Sequence, residues 1–196
     1  MIELYYSPFE LACITESLGL GTRGTMELLN WIYEKDSAYL LPQYRKNRKN
    51  LLLETLHWQD YLSDKDTLDR EFPVIQRDFN NLGLQLPVEN MMGDYPDVDI
   101  FFKSLRLRIL YVGNQDYVRM KLRTLLTAYG YKRRSQGLMD YLSDCMFFFH
   151  IQTYIRGGIE CDIREASLDD MITFRIFKKN SGSKIRSWIF HDLILQ

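Results

Sequence analysis

The sequence predicts an α+β chain, mainly helical, with an N-terminal helical lobe and a winged-helix-like C-terminal lobe. Three observations carry that expectation. Ser7-Pro8-Phe9-Glu10 is a capping box with proline at the first helical position, and helical spacing continues from it to Leu62. Residues 63–96 then gather Pro73, Pro87, Pro96, Gly83, Gly93 and the pair Asn80-Asn81, the punctuation of a connection. Beyond it the patterning reads helix, strand, helix, helix, strand, strand, which is the order of a winged helix-turn-helix. The predicted organisation is therefore a helical lobe over 1–62, a connecting segment over 63–96, and a winged-helix-like domain with a terminal helix over 97–196.

Each element follows from local chemistry. Ser7 and Glu10 are spaced to exchange bonds with each other's amides, and Tyr6 and Leu11 to form a hydrophobic staple. Gly19 or Gly21 should end that helix. A second helix starts at Thr22 or Thr25 and runs through Trp31, Ile32 and Tyr33. A third spans about 42–62 on the stripe Tyr44, Leu51, Leu52, Leu56 and Leu62. A short extended piece is expected around Val74-Ile75.

A short helix is expected over 97–104. Residues 105–109 alternate with period two, predicting a strand with Leu105, Leu107 and Ile109 inward and Arg106 and Arg108 on its outer face. Gly113-Asn114 marks a turn. Val118, Leu122, Leu125, Leu126 and Tyr129 predict a helix over 117–129, closed by Gly130. On it Arg119 and Arg123 share one face. Ser135 opens a helix with the stripe Leu138, Tyr141, Leu142, Cys145, Phe148 and Phe149. Gly157-Gly158 interrupts the chain, two strands follow over 159–164 and 171–177, and a terminal helix over 184–195.

At 196 residues, 46% hydrophobic and 26% charged, the composition is that of an ordinary globular protein with a sizeable core. No apolar run reaches the roughly 18 residues of a membrane span, and Met1-Ile2-Glu3-Leu4 does not begin a secretory signal. Cys13, Cys145 and Cys161 are odd in number and widely spaced, which fits reduced thiols in a cytoplasmic protein.

Charge is the strongest functional signal. Residues 100–139 hold nine basic side chains (Lys103, Arg106, Arg108, Arg119, Lys121, Arg123, Lys132, Arg133 and Arg134) and one acid, Asp116, within a chain of net charge −1. Such a split predicts a polyanion-binding surface on an otherwise acidic body. Lys132-Arg133-Arg134 lies in the turn into the helix opened by Ser135, where helix amides are also free to meet a phosphate. A second cluster, Arg45, Lys46, Arg48 and Lys49, lies on the third helix. Tyr111, Tyr117, Tyr129 and Tyr131 are interleaved with the cations and suited to stacking on bases or sugars. The helix after Ser135 carries Asp140 and Asp144, with no Arg, Lys, Asn or Gln between Leu138 and Ile151, which disfavours base reading in a major groove.

The expected function is thus a nucleic-acid-binding accessory protein that holds DNA or RNA by phosphates with low sequence specificity. Arg106, Arg108, Arg119, Arg123, Lys132, Arg133, Arg134 and the 45–49 cluster are its candidate contacts. The alternative is a protein-docking subunit of a larger complex, or a homodimer. Four consecutive apolar residues, Met146 to Phe149, cover all sides of a helical turn and need burial in a core or against such a partner.

Catalytic patterns are sparse, and no cofactor or metal is expected. Gly19-Leu20-Gly21-Thr22-Arg23-Gly24 lacks the spacing and the Lys-Ser/Thr of a phosphate-binding loop. Cys145, His150, Cys161 and His191 contain no Cys-x-x-Cys pair. Asp97 and Asp99 before one predicted strand, with Glu160, Asp162 and Glu165 around another, are carboxylates of the kind that bind magnesium for phosphodiester cleavage. Arg186-Ser187-Trp188-Ile189-Phe190-His191 sets an Arg and a His four residues apart on the terminal helix. This resembles the signature of HEPN-type ribonucleases, in which the pair works on RNA across a dimer. The resemblance implies Arg186 and His191 as catalytic residues of a third, enzymatic reading.

Overall fold

The capping box forms as its spacing predicts. In the computed structural model, which describes residues 4–63 and 96–177, the Glu10 amide donates to Ser7 Oγ at 3.2 Å and the Ser7 amide to the Glu10 carboxylate at 2.8 Å. Helix α1 (Pro8–Ser17) starts there. Its Leu11, Ala12, Cys13 and Ile14 are wholly buried, so it is the central helix of the N-terminal part. Gly19 ends it in the left-handed region, at φ +64°. Helix α2 (Gly21–Lys35) begins at once, ahead of the expected threonines. Residues 42–46 are turns rather than helix. Asn47 takes the Asn50 amide on its side chain at 3.2 Å and acts as the start signal for α3 (Arg48–Ser63), which the apolar stripe alone had placed too early.

Two sequence expectations for the C-terminal part are corrected. The strand over 105–109 is helical: α4 (Pro96–Leu107) continues into a π-helical turn (Arg108–Val112). Leu105, Arg106, Leu107 and Ile109 are all buried. Period-two alternation was therefore no guide to an outer face, because interior groups accept Arg106 as well as its apolar neighbours. The turn closes with the Gly113 amide on the Arg108 carbonyl, and a Cβ at Gly113 would stand 2.7 Å from that oxygen. The helix over 117–129 is instead a strand, β1 (Tyr117–Lys121), followed by α5 (Leu122–Ala128). Arg119 and Arg123 therefore sit on different elements. Five rungs of pairing to a later strand outweigh the helical spacing of Val118 and Leu122.

Helix α6 (Gln136–Phe148) has Ser135 as its cap, its Oγ accepting the Leu138 amide. Three strands follow: β2 (Ile151–Ile155), β3 (Ile159–Glu160) and β4 (Met171–Ile176). The strand expected over 159–164 is only two residues long, and β2 went unrecognised. The sheet is antiparallel with order β1-β4-β2-β3. Register places Val118, Phe174 and Thr153 on one face, where Phe174 meets Phe101 and Phe102 of α4 edge-on. The opposite face carries Tyr117, Arg175 and Gln152 in one row and Arg119, Thr173 and Tyr154 in the next.

Helix α4 ties the two parts together. The Tyr6 hydroxyl donates to the Lys103 carbonyl at 2.8 Å, Lys103 Nζ pairs with the Glu10 carboxylate, and Arg106 pairs with Asp36 at 2.8 Å. The extended piece around Val74-Ile75, nearly all of the 63–96 connection, and the terminal helix over 184–195 lie outside the described residues. No helix among the described residues is long and apolar enough to cross a membrane.

Candidate nucleic-acid interface

Burial divides the basic side chains. Lys103 is 2% exposed and Arg106 6%. The Arg106 guanidinium donates to Asp36 Oδ1 at 2.8 Å and to the Phe149 carbonyl at 2.7 Å, and lies 4.2 Å from the centre of the Tyr39 ring. Asp36 also accepts the Tyr111 hydroxyl. Burial first, and then the Asp36 carboxylate, push the Tyr111 phenol well above its ordinary pKa. Arg106 is thus an interior strut rather than the outer-face cation expected, and Tyr111 is engaged with it and stacked on Trp31. A long helix that buries a cation must hydrogen-bond it, because an isolated buried charge is far too costly.

The remaining cations of the segment are exposed. Arg123, Lys132, Arg133 and Arg134 line a single groove of about 290 Å³ with Leu126, Thr127, Gly130, Tyr131 and Leu168. Gly130, in the left-handed region at φ +77°, turns the chain out of α5. The next amide, that of Tyr131, returns to the Leu126 carbonyl at 2.9 Å, which fixes the approach of 132–134 to α6. Within the groove Arg123 is bidentate to Asp169, at 2.9 and 3.0 Å, and Arg134 donates to the Ala166 carbonyl at 2.7 Å. The Arg123 hydrogen bond holds the Asp169 carboxyl below its ordinary range. Lys132 and Arg133 have no hydrogen-bond or ion-pair partner among the described residues. The groove therefore presents two uncommitted cations flanked by two fixed ones, next to the start of α6.

Arg108 is exposed and borders a second, mainly apolar groove of about 310 Å³ with Phe101, Met120, Leu125 and Tyr129. Arg119 and Lys121 stand on the outer sheet face. The 45–49 cluster is elsewhere. Arg45 lies 4.9 Å from the centre of the Tyr5 ring, and Tyr5 meets Phe148 at the last turn of α6. Arg133 precedes the first turn of the same helix. Thirteen residues separate those ends, about 20 Å of helix, so the two basic clusters form separate patches. Arg48 is bound to Asn30 at 2.7 and 3.1 Å, while Lys46 and Lys49 are exposed.

Two outer-face residues escaped the sequence reading, Tyr154 and Arg175. Tyr154 lies on the unrecognised β2. Arg175 lies outside the basic run and joins it only through the β1–β4 ladder, its guanidinium 5.4 Å from the centre of the Tyr117 ring.

Among the carboxylates noted as magnesium candidates, Asp99 and Asp162 are each engaged within the protein. Asp99 is 4% exposed inside the core, where it accepts the Tyr141 hydroxyl at 2.6 Å and the Cys145 thiol at 3.5 Å. Burial pushes its carboxyl up to about 6 against the pull of those donors and of Lys103. Asp162 is chelated by Arg164 at 2.8–3.1 Å. Among the described residues no three His, Cys, Asp or Glu side chains come together as metal ligands. Arg186 and His191 lie outside the described residues. The chain matches no protein-family model, and no curated protein or solved structure is significantly similar to it.

Proposed function

We propose that the protein is a nucleic-acid-binding accessory module that contacts phosphates with low sequence specificity, and that residues 97–196 form its winged-helix-like lobe. The observation that carries the binding reading is the convergence of Arg123, Lys132, Arg133 and Arg134 on one groove, with Lys132 and Arg133 unengaged among the described residues. The lobe reading is supported by the order α4, β1, α5, α6, β2, β3, β4, with β3 only two residues long, and by β4 lying between β1 and β2. β1 takes the place in that order of the strand expected at 105–109.

Low specificity follows from α6. Its solvent-facing stripe is Gln136, Asp144 and Phe147, all exposed, with half-buried Asp140 between them. Burial, then the neighbouring Asp140 carboxylate, push the Asp144 carboxyl up. Carboxylates on that face repel a phosphate backbone, so contact is confined to the cationic end of the helix. The same stripe favours the second reading, a protein-docking subunit, because Phe147 is 52% exposed beside the two acids.

Fluorescence anisotropy with labelled duplex DNA, single-stranded DNA and RNA at about 50 and 200 mM salt tests the proposal. Binding should weaken steeply with salt. It should fall at least about tenfold in a Lys132→Glu/Arg133→Glu variant that keeps the wild-type melting temperature. Absence of binding at the lower salt would sink it.

A further inference from the structure

We infer that the outer face of the sheet is a platform for a single-stranded polynucleotide, with Tyr117 and Tyr154 as stacking surfaces and Arg119, Lys121 and Arg175 as phosphate contacts. The inference rests on the nucleic-acid reading above and extends it to a second surface and to one class of polymer.

Register is the first argument. Directly opposed residues of antiparallel strands point to the same side. Tyr117, Arg175 and Gln152 therefore form one row across β1, β4 and β2, and Arg119, Thr173 and Tyr154 form the next. Lys121 and Met171 start a third. Arg119, Lys121, Met171 and Arg175 are exposed and Tyr117 and Tyr154 half-buried, whereas Val118, Ile172 and Phe174 turn to the core. Two acids border the cations on this face. Asp116 lies beyond the end of β1, 3.9 Å from Arg175, and Glu160 lies opposite Tyr154 on the edge strand β3. Arg119 has no partner among the described residues.

Continuity is the second argument. Lys121 ends β1 and is followed by Leu122 and then Arg123, the wall of the basic groove. Lys121 also acts on the same Asp169 that Arg123 holds, lowering its pKa. The cations of the sheet face thus adjoin those of the groove, with the Asp169 carboxylate held between them by Arg123.

Shape chooses the polymer. The rows that carry these residues cross three strands, a face about 10 Å wide at about 4.8 Å spacing. Flat aromatic rings on such a face reach the planes of bases only where the bases are unpaired. The Arg175 guanidinium over Tyr117 adds a second flat cationic surface without using its edge donors.

The test is an anisotropy titration of the full chain with labelled oligouridylate, oligothymidylate and a mixed-sequence duplex of equal length. Wild type, Tyr154→Leu, Arg119→Gln and the groove variant Lys132→Glu/Arg133→Glu are compared, with melting curves for each. Single strands should bind at least about tenfold tighter than duplex. Tyr154→Leu should weaken single-strand binding by about five- to a hundredfold, leaving duplex binding unchanged. Arg119→Gln, at an exposed and unpaired site, should lower the log–log salt slope by about 0.7 even if Tyr154→Leu fails to fold. The two single-strand arms then decide between RNA and DNA. If the groove variant loses binding while Arg119→Gln matches wild type, or if duplex is preferred, the platform is refuted and the groove reading stands. If wild type binds none of the probes, both fall.

Discussion

Replacing Asp99 by asparagine should change how the protein's stability depends on pH. The Asp99 carboxyl lies in the core, bonded to Tyr141 and Cys145, with its pKa pushed by burial from 3.8 to about 6. Between those values the folded chain holds a proton that the unfolded chain has released, so stability falls as pH rises through this window. Relative to a chain with no shift, the penalty is about 1 kcal/mol at pH 4.5 and about 3 kcal/mol at pH 8. The wild type should therefore lose about 2 kcal/mol more than Asp99→Asn over that range. The amide keeps an oxygen that can accept both donors but does not titrate. Other groups contribute equally to both proteins and cancel in the difference. Urea unfolding at several pH values measures it, and the difference in slope decides the matter whatever the offset. Parallel profiles for the two proteins, within about 0.5 kcal/mol, would refute a buried carboxyl held near 6.

Other perturbations follow from the same interior. Asp36→Ala removes the carboxylate facing buried Arg106 and should cost about 3–5 kcal/mol, visible as a melting temperature lower by about 6–20 °C. An Asp36→Leu/Arg106→Met pair should recover much of that loss, and no recovery would mean that the hydrogen bond to the Phe149 carbonyl and the cation–π contact with Tyr39 matter more than charge pairing. Ser7→Ala should cost about 0.5–2 kcal/mol in denaturant midpoint experiments, because the Glu10 amide loses its cap. Gly130→Ala should cost about 1–2 kcal/mol by forcing a side chain into the left-handed region, and weaken nucleic-acid binding by displacing Lys132 and Arg133. In native conditions a thiol reagent should modify half-buried Cys161 first. Cys13 and Cys145 are buried with thiol pKa values pushed up, chiefly by burial, and should react only on unfolding.

Local signals were legible wherever a side chain answered its own backbone. Ser7 with Glu10, Ser135 with Leu138, and the left-handed Gly19 and Gly130 set helix ends within a few residues, where no distant partner competes. Asn47 carried the same kind of information and was hidden by the apolar stripe beginning at Tyr44. The basic run was equally visible, since net charge needs no fold to be counted.

Pairing and burial were not legible. Residues 117–121 have the spacing of a helix, and only β4, more than fifty positions later, makes them a strand. Arg106 and Arg108 look alike in sequence, yet one is buried against Asp36, Phe149 and Tyr39 and the other is exposed, because burial depends on what packs against the helix. Tyr154 and Arg175 join Arg119 only through the ladder. The sequence by itself determined the helical start, the mixed α+β class and the concentration of positive charge. Tertiary structure alone decided which cations remain exposed and which surface they share, because hydrogen-bond ladders and desolvation act between residues that the chain order keeps far apart.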